Sequence, residues 1–406
     1  MTFNPYGAMD PAVLPDGRLV VSAEQRDRLE RGYRSRVSLF GINTDGTDYA
    51  MFSGDEGGRY KRMPSVTAGG LVVFVEPAVA ADSAGRLAAV SLRRNLHSHR
   101  VLTLPADGLF HSPSALPGGE ILVSRRPAKG PGTFGIYRFE PSTRRMTRLH
   151  DDPKWNETQA KALSPRTQPD GHSSVVDEQD PAGKLYCLNA FTTDFRARDW
   201  LTGKVAKRLR VLEGVPPGME RRFLGEINLE DDGSFNIQVP ANIPIQLQLV
   251  DSDGMALRTC SWIWVKNREN RGCIGCHEDG ELAPENVLAK SLTRASIPLT
   301  LPPEQRRRVS FDKDLRPVLG KYCGAACHSG GAEPRLDSAS ALAKHIHPGQ
   351  ARTSPLVWSL FGRTTTRPWD GAAPSRMVRK MPPAGSPPLP EELRRSVIEW
   401  IDLGGR

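Results

Sequence analysis

The chain has 406 residues and a formal net charge of +9, enough length for two or three domains with buried cores. Glycine and proline are plentiful and aromatics modest, a balance that favours turn-rich β structure over long helical bundles. No apolar run approaches the roughly 18 residues that cross a bilayer, and no basic stripe interleaved with aromatics marks a nucleic-acid site. The positive charge keeps the protein soluble or steers an acidic redox partner.

The first half repeats. Asp10-Pro-Ala-Val-Leu-Pro-Asp-Gly-Arg-Leu-Val-Val-Ser22 returns as Met63-Pro-Ser-Val-Thr-Ala-Gly-Gly-Leu-Val-Val-Phe-Val75 and as Ser112-Pro-Ser-Ala-Leu-Pro-Gly-Gly-Glu-Ile-Leu-Val-Ser124, with a worn copy over Ser164-Pro165 to Asp170-Gly171. The prolines recur about every fifty residues, the period of propeller blades. Each copy reads as a strand, a PDG or GG turn and a β-branched strand, and further strands are predicted at Val37–Ile42, Ala88–Leu92 and Gly135–Phe139. Residues 1–200 are therefore predicted to be propeller-type repeats, with a β-sandwich as the alternative. Three or four blades are too few to close a ring, so the propeller is expected to be incomplete. His97, His99, His111, His150 and His172 are scattered through this half without a catalytic pattern.

Residues 201–265 alternate apolar and polar positions around Asp-Gly turns, as in Arg222–Leu229, Phe235–Pro240, Ile243–Val250 and Leu257–Val265. The pattern predicts a small antiparallel sheet whose last strand delivers the chain to a cysteine motif. Trp262 and Trp264 stand just before it, as wall residues of that site or as core.

The motif is Arg271-Gly-Cys273-Ile-Gly-Cys276-His277-Glu278, a CxxCH of the kind that attaches haem c. Two thiols reach two vinyl groups on one porphyrin edge, and the histidine that follows swings beneath the iron. Gly275 allows the backbone to approach a flat ring closely. A second run, Cys323-Gly-Ala-Ala-Cys327-His328, repeats the cysteine–histidine ending with one more residue in the loop. The alternative is that the two cysteine pairs make a zinc site. Residues 266–300 are predicted to be the first haem segment, largely irregular with one short helical stretch.

Residues 301–406 read as a cytochrome c-like domain. A helix over Val309–Leu319 enters the second motif, Met381 precedes Pro382 and Pro383, and Pro390–Leu403 forms an amphipathic closing helix before Gly404. Met381 is the candidate second axial ligand of the second haem, since a thioether raises the potential. His345 and His347 compete for that position. The fold class is thus a mainly β N-terminal part followed by a small α-helical domain.

The GCIGCHE run after a DGSF…VP sheet, the upstream repeats and the closing domain resemble the hydrazine synthase alpha subunit family from about residue 10 onward. The segment with Phe311-Asp312, Arg316-Pro317, Cys323–His328 and Met381-Pro-Pro also resembles planctomycete-type cytochrome c domains. The resemblance implies two covalent haems, the first catalytic and the second an electron relay. It also implies a tyrosine ligand to the first iron, four residues after the motif histidine, and a zinc held by that histidine with a propeller cysteine. Glu281 occupies the tyrosine position here, which makes His277 or Glu281 the candidate iron ligand and leaves hydrazine chemistry open. Cys187 is the candidate zinc ligand; a structural thiol or a Cys187–Cys260 disulfide are its other readings. The resulting expectation is an extracytoplasmic dihaem cytochrome that serves a redox partner protein and has possible further subunits. Met1–Gly7 lacks the start of a secretory signal, so the chain is expected to be truncated or processed. The alternatives are a haem-dependent redox enzyme acting on a small nitrogen compound, and a zinc-stabilised propeller without haem.

Overall fold

The computed structural model describes residues 2–25, 35–54, 57–193, 205–216, 220–276, 283, 285–324, 327–328, 333–370, 378–387 and 389–405. Three four-stranded antiparallel meanders open the chain. The first holds β1 (Ala8–Val13), β2 (Leu19–Gln25), β3 (Arg36–Ile42) and β4 (Ala50–Met51). The second holds β5 (Arg62–Val66), β6 (Leu71–Glu76), β7 (Arg86–Ser91) and β8 (Arg100–Val101). The third holds β9 (Leu109–Ala115), β10 (Ile121–Arg126), β11 (Gly135–Glu140) and β12 (Arg145–His150).

The three predicted repeats are therefore three blades. Strand alternation explains their stacking. Val72 and Phe74 of β6 pack on Leu14, Val20 and Leu39 of the first blade. Their neighbours Val73 and Val75 pack on Phe110, Ile121 and Val123 of the third.

The residue before each repeat proline has a role that its sequence does not advertise. Asp10, Met63 and Ser112 adopt positive φ angles of 53°, 54° and 48°, and β1, β5 and the β9–β10 pairing shift register there. Such angles are unfavourable for residues other than glycine. The bulge turns the first two side chains toward the next blade: Asp10 Oδ2 accepts the Met63 N–H at 3.1 Å and Met63 Sδ accepts the Ser112 N–H at 3.3 Å.

The worn fourth copy forms no strand. After Gly171 the chain reads His-Ser-Ser-Val-Val-Asp-Glu, too polar to alternate as the other copies do. It lies across the first blade instead. The Asp170 N–H donates to Pro15 O at 2.9 Å, His172 Nε2 donates to Asp16 O, and Ser174 Oγ donates to Asp45 Oδ2 at 2.7 Å. A Cβ on Gly17 would lie 2.1 Å from Asp170 O, so this close crossing requires glycine.

Next comes a sandwich of two four-stranded sheets, ordered β19-β13-β16-β20 and β15-β14-β17-β18. Its strands are β13 (Ala182–Cys187), β14 (Arg208–Val215), β15 (Glu220–Asn228), β16 (Phe235–Pro240), β17 (Ile245–Val250), β18 (Ala256–Thr259), β19 (Asn270–Cys273) and β20 (Ile297–Pro298). Leu185, Val211, Leu224, Ile237, Val239 and Leu249 fill the space between the sheets. β13, which the sequence groups with the repeats, pairs with β16 and β19 instead.

The C-terminal part is helical. Phe311–Leu315, α1 (Arg316–Leu319) and Gly320–Gly324 form one run, wide-turned at both ends. It is followed by α2 (Ala339–Leu342), α3 (Pro355–Phe361) and α4 (Glu391–Asp402). Leu393, Val397, Trp400 and Ile401 lie at helical spacing and bury one face of α4 against Phe311, Leu315 and Val357. Among the described residues no helix is long and apolar enough to cross a membrane.

Candidate functional site

The first cysteine motif sits at the end of β19, and its backbone is held along the segment that follows β13. The Leu188 N–H donates to Cys273 O at 3.0 Å, Asn189 N–H to Ile274 O at 3.1 Å, and Cys276 N–H to Thr192 O at 2.9 Å. A Cβ on Gly275 would come within 2.4 Å of Thr192 O. Glycine is therefore required by the neighbouring chain itself, whatever else approaches the loop. Cys273 and Cys276 are half-buried against the sandwich core, and buried Cys187 lies opposite Cys273 in the β13–β19 pairing. Cys260 follows β18 in the other sheet, with its Sγ accepting the Leu247 N–H at 3.0 Å. His277, Glu278 and Glu281 lie outside the described residues.

The strand entering this motif is anchored to the first blade. Arg271 donates from Nη1 to Trp264 O at 3.0 Å and from Nη2 to Tyr49 O. Glu269 accepts the Asp48 N–H at 2.8 Å and the Lys266 N–H at 2.6 Å, and burial pushes its carboxyl above the usual range. Trp264 takes the core role of its two readings: its ring stacks on Tyr49 at 4.1 Å, and Nε1 donates to Gly46 O at 3.0 Å. Trp262 is buried under the Arg221 guanidinium, 5.2 Å from its ring. Alternation about Ile263, which pairs with Ile245, turns both indoles out of the sandwich and toward the first blade.

The second motif closes the helical run. Cys323 packs against the helical core, and burial, then the neighbouring Cys327, push its thiol above the ordinary value. Cys327 is exposed and His328 half-buried. His328 Nδ1 lies 2.8 Å from Pro334 O. A carbonyl can only accept, so Nδ1 carries a proton, which in the neutral imidazole leaves the lone pair on Nε2. Met381 is half-buried, and its N–H donates to Ser359 O at 2.8 Å, tying its loop to the end of α3. His347 Nδ1 pairs with Thr353 Oγ1 at 2.9 Å, and its N–H donates to Ser354 Oγ at 2.8 Å, so this histidine is held by the turn before α3. His345 is half-buried at the end of a short helical turn. Among the described residues, no group of three or more His, Cys, Asp or Glu is placed to hold a metal ion.

Residues 193–278 match the family model described as the hydrazine synthase alpha subunit middle domain. The whole chain aligns with 68% of hydrazine synthase subunit alpha from Kuenenia stuttgartiensis at 23% identity. The solved Kuenenia stuttgartiensis hydrazine synthase covers 100% of this chain and 70% of its own, with a TM-score of 0.81 and 22% identity. The chain is similar to the hydrazine synthase alpha subunit.

Within this hydrazine synthase alpha-like chain, the matched segment runs through the sandwich and ends on the first motif at His277-Glu278. Two features escaped the sequence reading. One is Pro334 as the partner of His328, for which the only signal is a Glu-Pro pair a few residues downstream. The other is a buried polar network where the sandwich meets the helical part. Arg210 on β14, wholly buried, donates to Glu226 at 3.0 Å, to Gln248 at 2.9 Å and to Gly254 O at 3.0 Å. Asp402 of α4 lies 3.8 Å from Arg210 and accepts the N–H groups of Ala256 and Ala351, each at 2.8 Å. Arg352 pairs with Asp370 at 2.6 Å and also donates to Ala256 O. No local signal foretells these partners, which are far apart along the chain.

Proposed function

We propose that the chain is a dihaem c-type cytochrome acting outside the cytoplasm, passing electrons between redox partners. The observation that carries this reading is the His328–Pro334 hydrogen bond at 2.8 Å. It holds the imidazole in the tautomer whose Nε2 lone pair serves a metal, the usual arrangement of a metal-binding histidine. The residues fit the group: Cys323 and Cys327 would hold it through thioethers, and His328 and Met381 would be its iron ligands. Cys273 and Cys276 would hold the first haem, with His277 or Glu281 at its iron. Haem bound there would supply a one-electron iron couple. The protein contributes position and polarity, here a motif clamped to the segment after β13 and another capping a helical run. Zinc, if present, would fall to Cys187 with His277. Since the relative is named a subunit alpha, further subunits belong to the same proposal.

The test is a pyridine haemochrome assay with intact mass, on protein exported to a periplasm with haem-maturation machinery. Two covalent haems per chain are expected. One haem would sink the relay, and none, with zinc bound, would favour the structural alternative. His328→Ala should lose the second haem, while Met381→Ala should keep it at a lower potential.

The likeness to hydrazine synthase supports a second reading, in which the chain is a haem-dependent redox enzyme that acts on a small nitrogen compound at the first motif. Carbon monoxide or nitrite binding to the reduced protein would favour it; two fully six-coordinate spectra would exclude it.

A further inference from the structure

We propose that Cys187 and Cys273 form a disulfide between β13 and β19 in the haem-free chain, a modification that excludes thioether formation at Cys273. The two strands run parallel in unbroken register from Lys184 opposite Asn270 to Cys187 opposite Cys273. Opposed residues in a parallel pair point to the same face, and strands lie about 4.8 Å apart. That spacing falls within the roughly 4.4–6.8 Å between Cα atoms that a disulfide spans. The bond from Leu188 N–H to Cys273 O, at 3.0 Å, pins the register beside the pair. Cys187 and Cys273 also meet one and the same hydrophobic core. Cys276 packs against the same core, but it lies beyond the strand pairing, with its N–H bonded to Thr192 O five residues past Cys187.

Accessibility sets the order of events. Cys187 is 1% exposed, whereas Cys273 is only half-buried, so Cys273 meets the oxidant. Its thiolate attacks one sulfur of a small disulfide such as oxidised glutathione, the oxidant's S–S bond breaks, and one glutathione thiolate leaves. Cys187 then attacks the Cys273 sulfur and releases the second glutathione. The two cysteines lose two protons and two electrons, which the oxidant takes up as two thiols. The competition with haem rests on the cytochrome reading, but the bridge itself does not.

The experiment uses the full chain, produced without haem-maturation machinery, freed of metal by a chelator, and treated with reduced or oxidised glutathione. It is then alkylated and digested without reductant. Oxidation is expected to remove two alkylatable thiols and to yield a peptide joining Cys187 to Cys273. A peptide joining Cys273 to Cys276 instead, or full alkylation of all six cysteines, overturns the proposal. In cells with maturation machinery and limiting reductant, Cys187→Ser should raise the haem-loaded fraction above wild type. If no haem attaches to either chain, the cytochrome reading fails while the peptide map still decides the disulfide.

Discussion

The sandwich meets its two neighbours through opposite chemistries. Against the first blade it presents Trp264, stacked on Tyr49, which in turn stacks on Phe40 at 4.6 Å. Against the helical part it presents Arg210, with Asp402, Arg352 and Asp370 completing a buried ionic seam. An aromatic seam is held by area and packing, so it tolerates salt and acid. An ionic seam costs desolvation on both sides and holds only while its partners balance. Beside the aromatic seam, Arg271 and Glu269 tie the strand of the first motif to the first blade by hydrogen bonds to Tyr49 O and from the Asp48 N–H, while the second motif belongs to the helical part on the other side of the ionic seam.

The comparison can be broken most severely at Trp264. Trp264→Ala should cost about 3–5 kcal/mol, read as a fall in Tm that is indifferent to salt; a loss under about 1 kcal/mol would mean that the seam does not depend on the indole. Arg210→Met should cost about 3 kcal/mol, since it takes the nearby guanidinium from buried Asp402 while Glu226 keeps Arg208 at 2.7 Å, and Asp402→Asn in the same chain should restore part of it. Equal losses with and without the second change would deny the coupling.

The third test is by pH. Burial raises the Asp402 carboxyl from 3.8 to about 6. A raised carboxyl contributes stability that is present in full below 3.8 and is lost as pH rises through about 6. Asp16, Asp45 and Asp232, whose hydrogen-bonding partners hold their carboxyls low, act in the other direction. The informative quantity is therefore the difference between wild type and Asp402→Asn. That difference should change across pH 4–6 and be flat above about 7; no change across the window would refute the seam's titration. The smallest effect belongs to Arg308, paired with Glu220 at 2.8 Å where both side chains are more than half exposed. Arg308→Ala should stay within about 0.5 kcal/mol of wild type, and a larger loss would show that exposure does not separate the two arginines.

Much of the architecture was legible. The proline-spaced repeats predict three blades because turn chemistry and period-two alternation are local properties. The amphipathic pattern of Pro390–Leu403 predicts α4 for the same reason. The fourth copy misleads because its turn residues survive while its strand residues do not. Both cysteine–histidine motifs are visible in sequence, and so are Met381, His345 and His347 as rivals. That His347 is tied to Thr353 is a matter of tertiary placement.

The sequence by itself determined the blades, the alternating strands and the two cysteine–histidine motifs, since each is written in neighbouring residues. Only the tertiary structure decided that β13 leaves the repeats to flank β19, that Cys187 faces Cys273, and that Arg210 and Asp402 meet. Parallel pairing and buried ion pairs join residues distant along the chain. Their energies depend on burial and register, which no local pattern records.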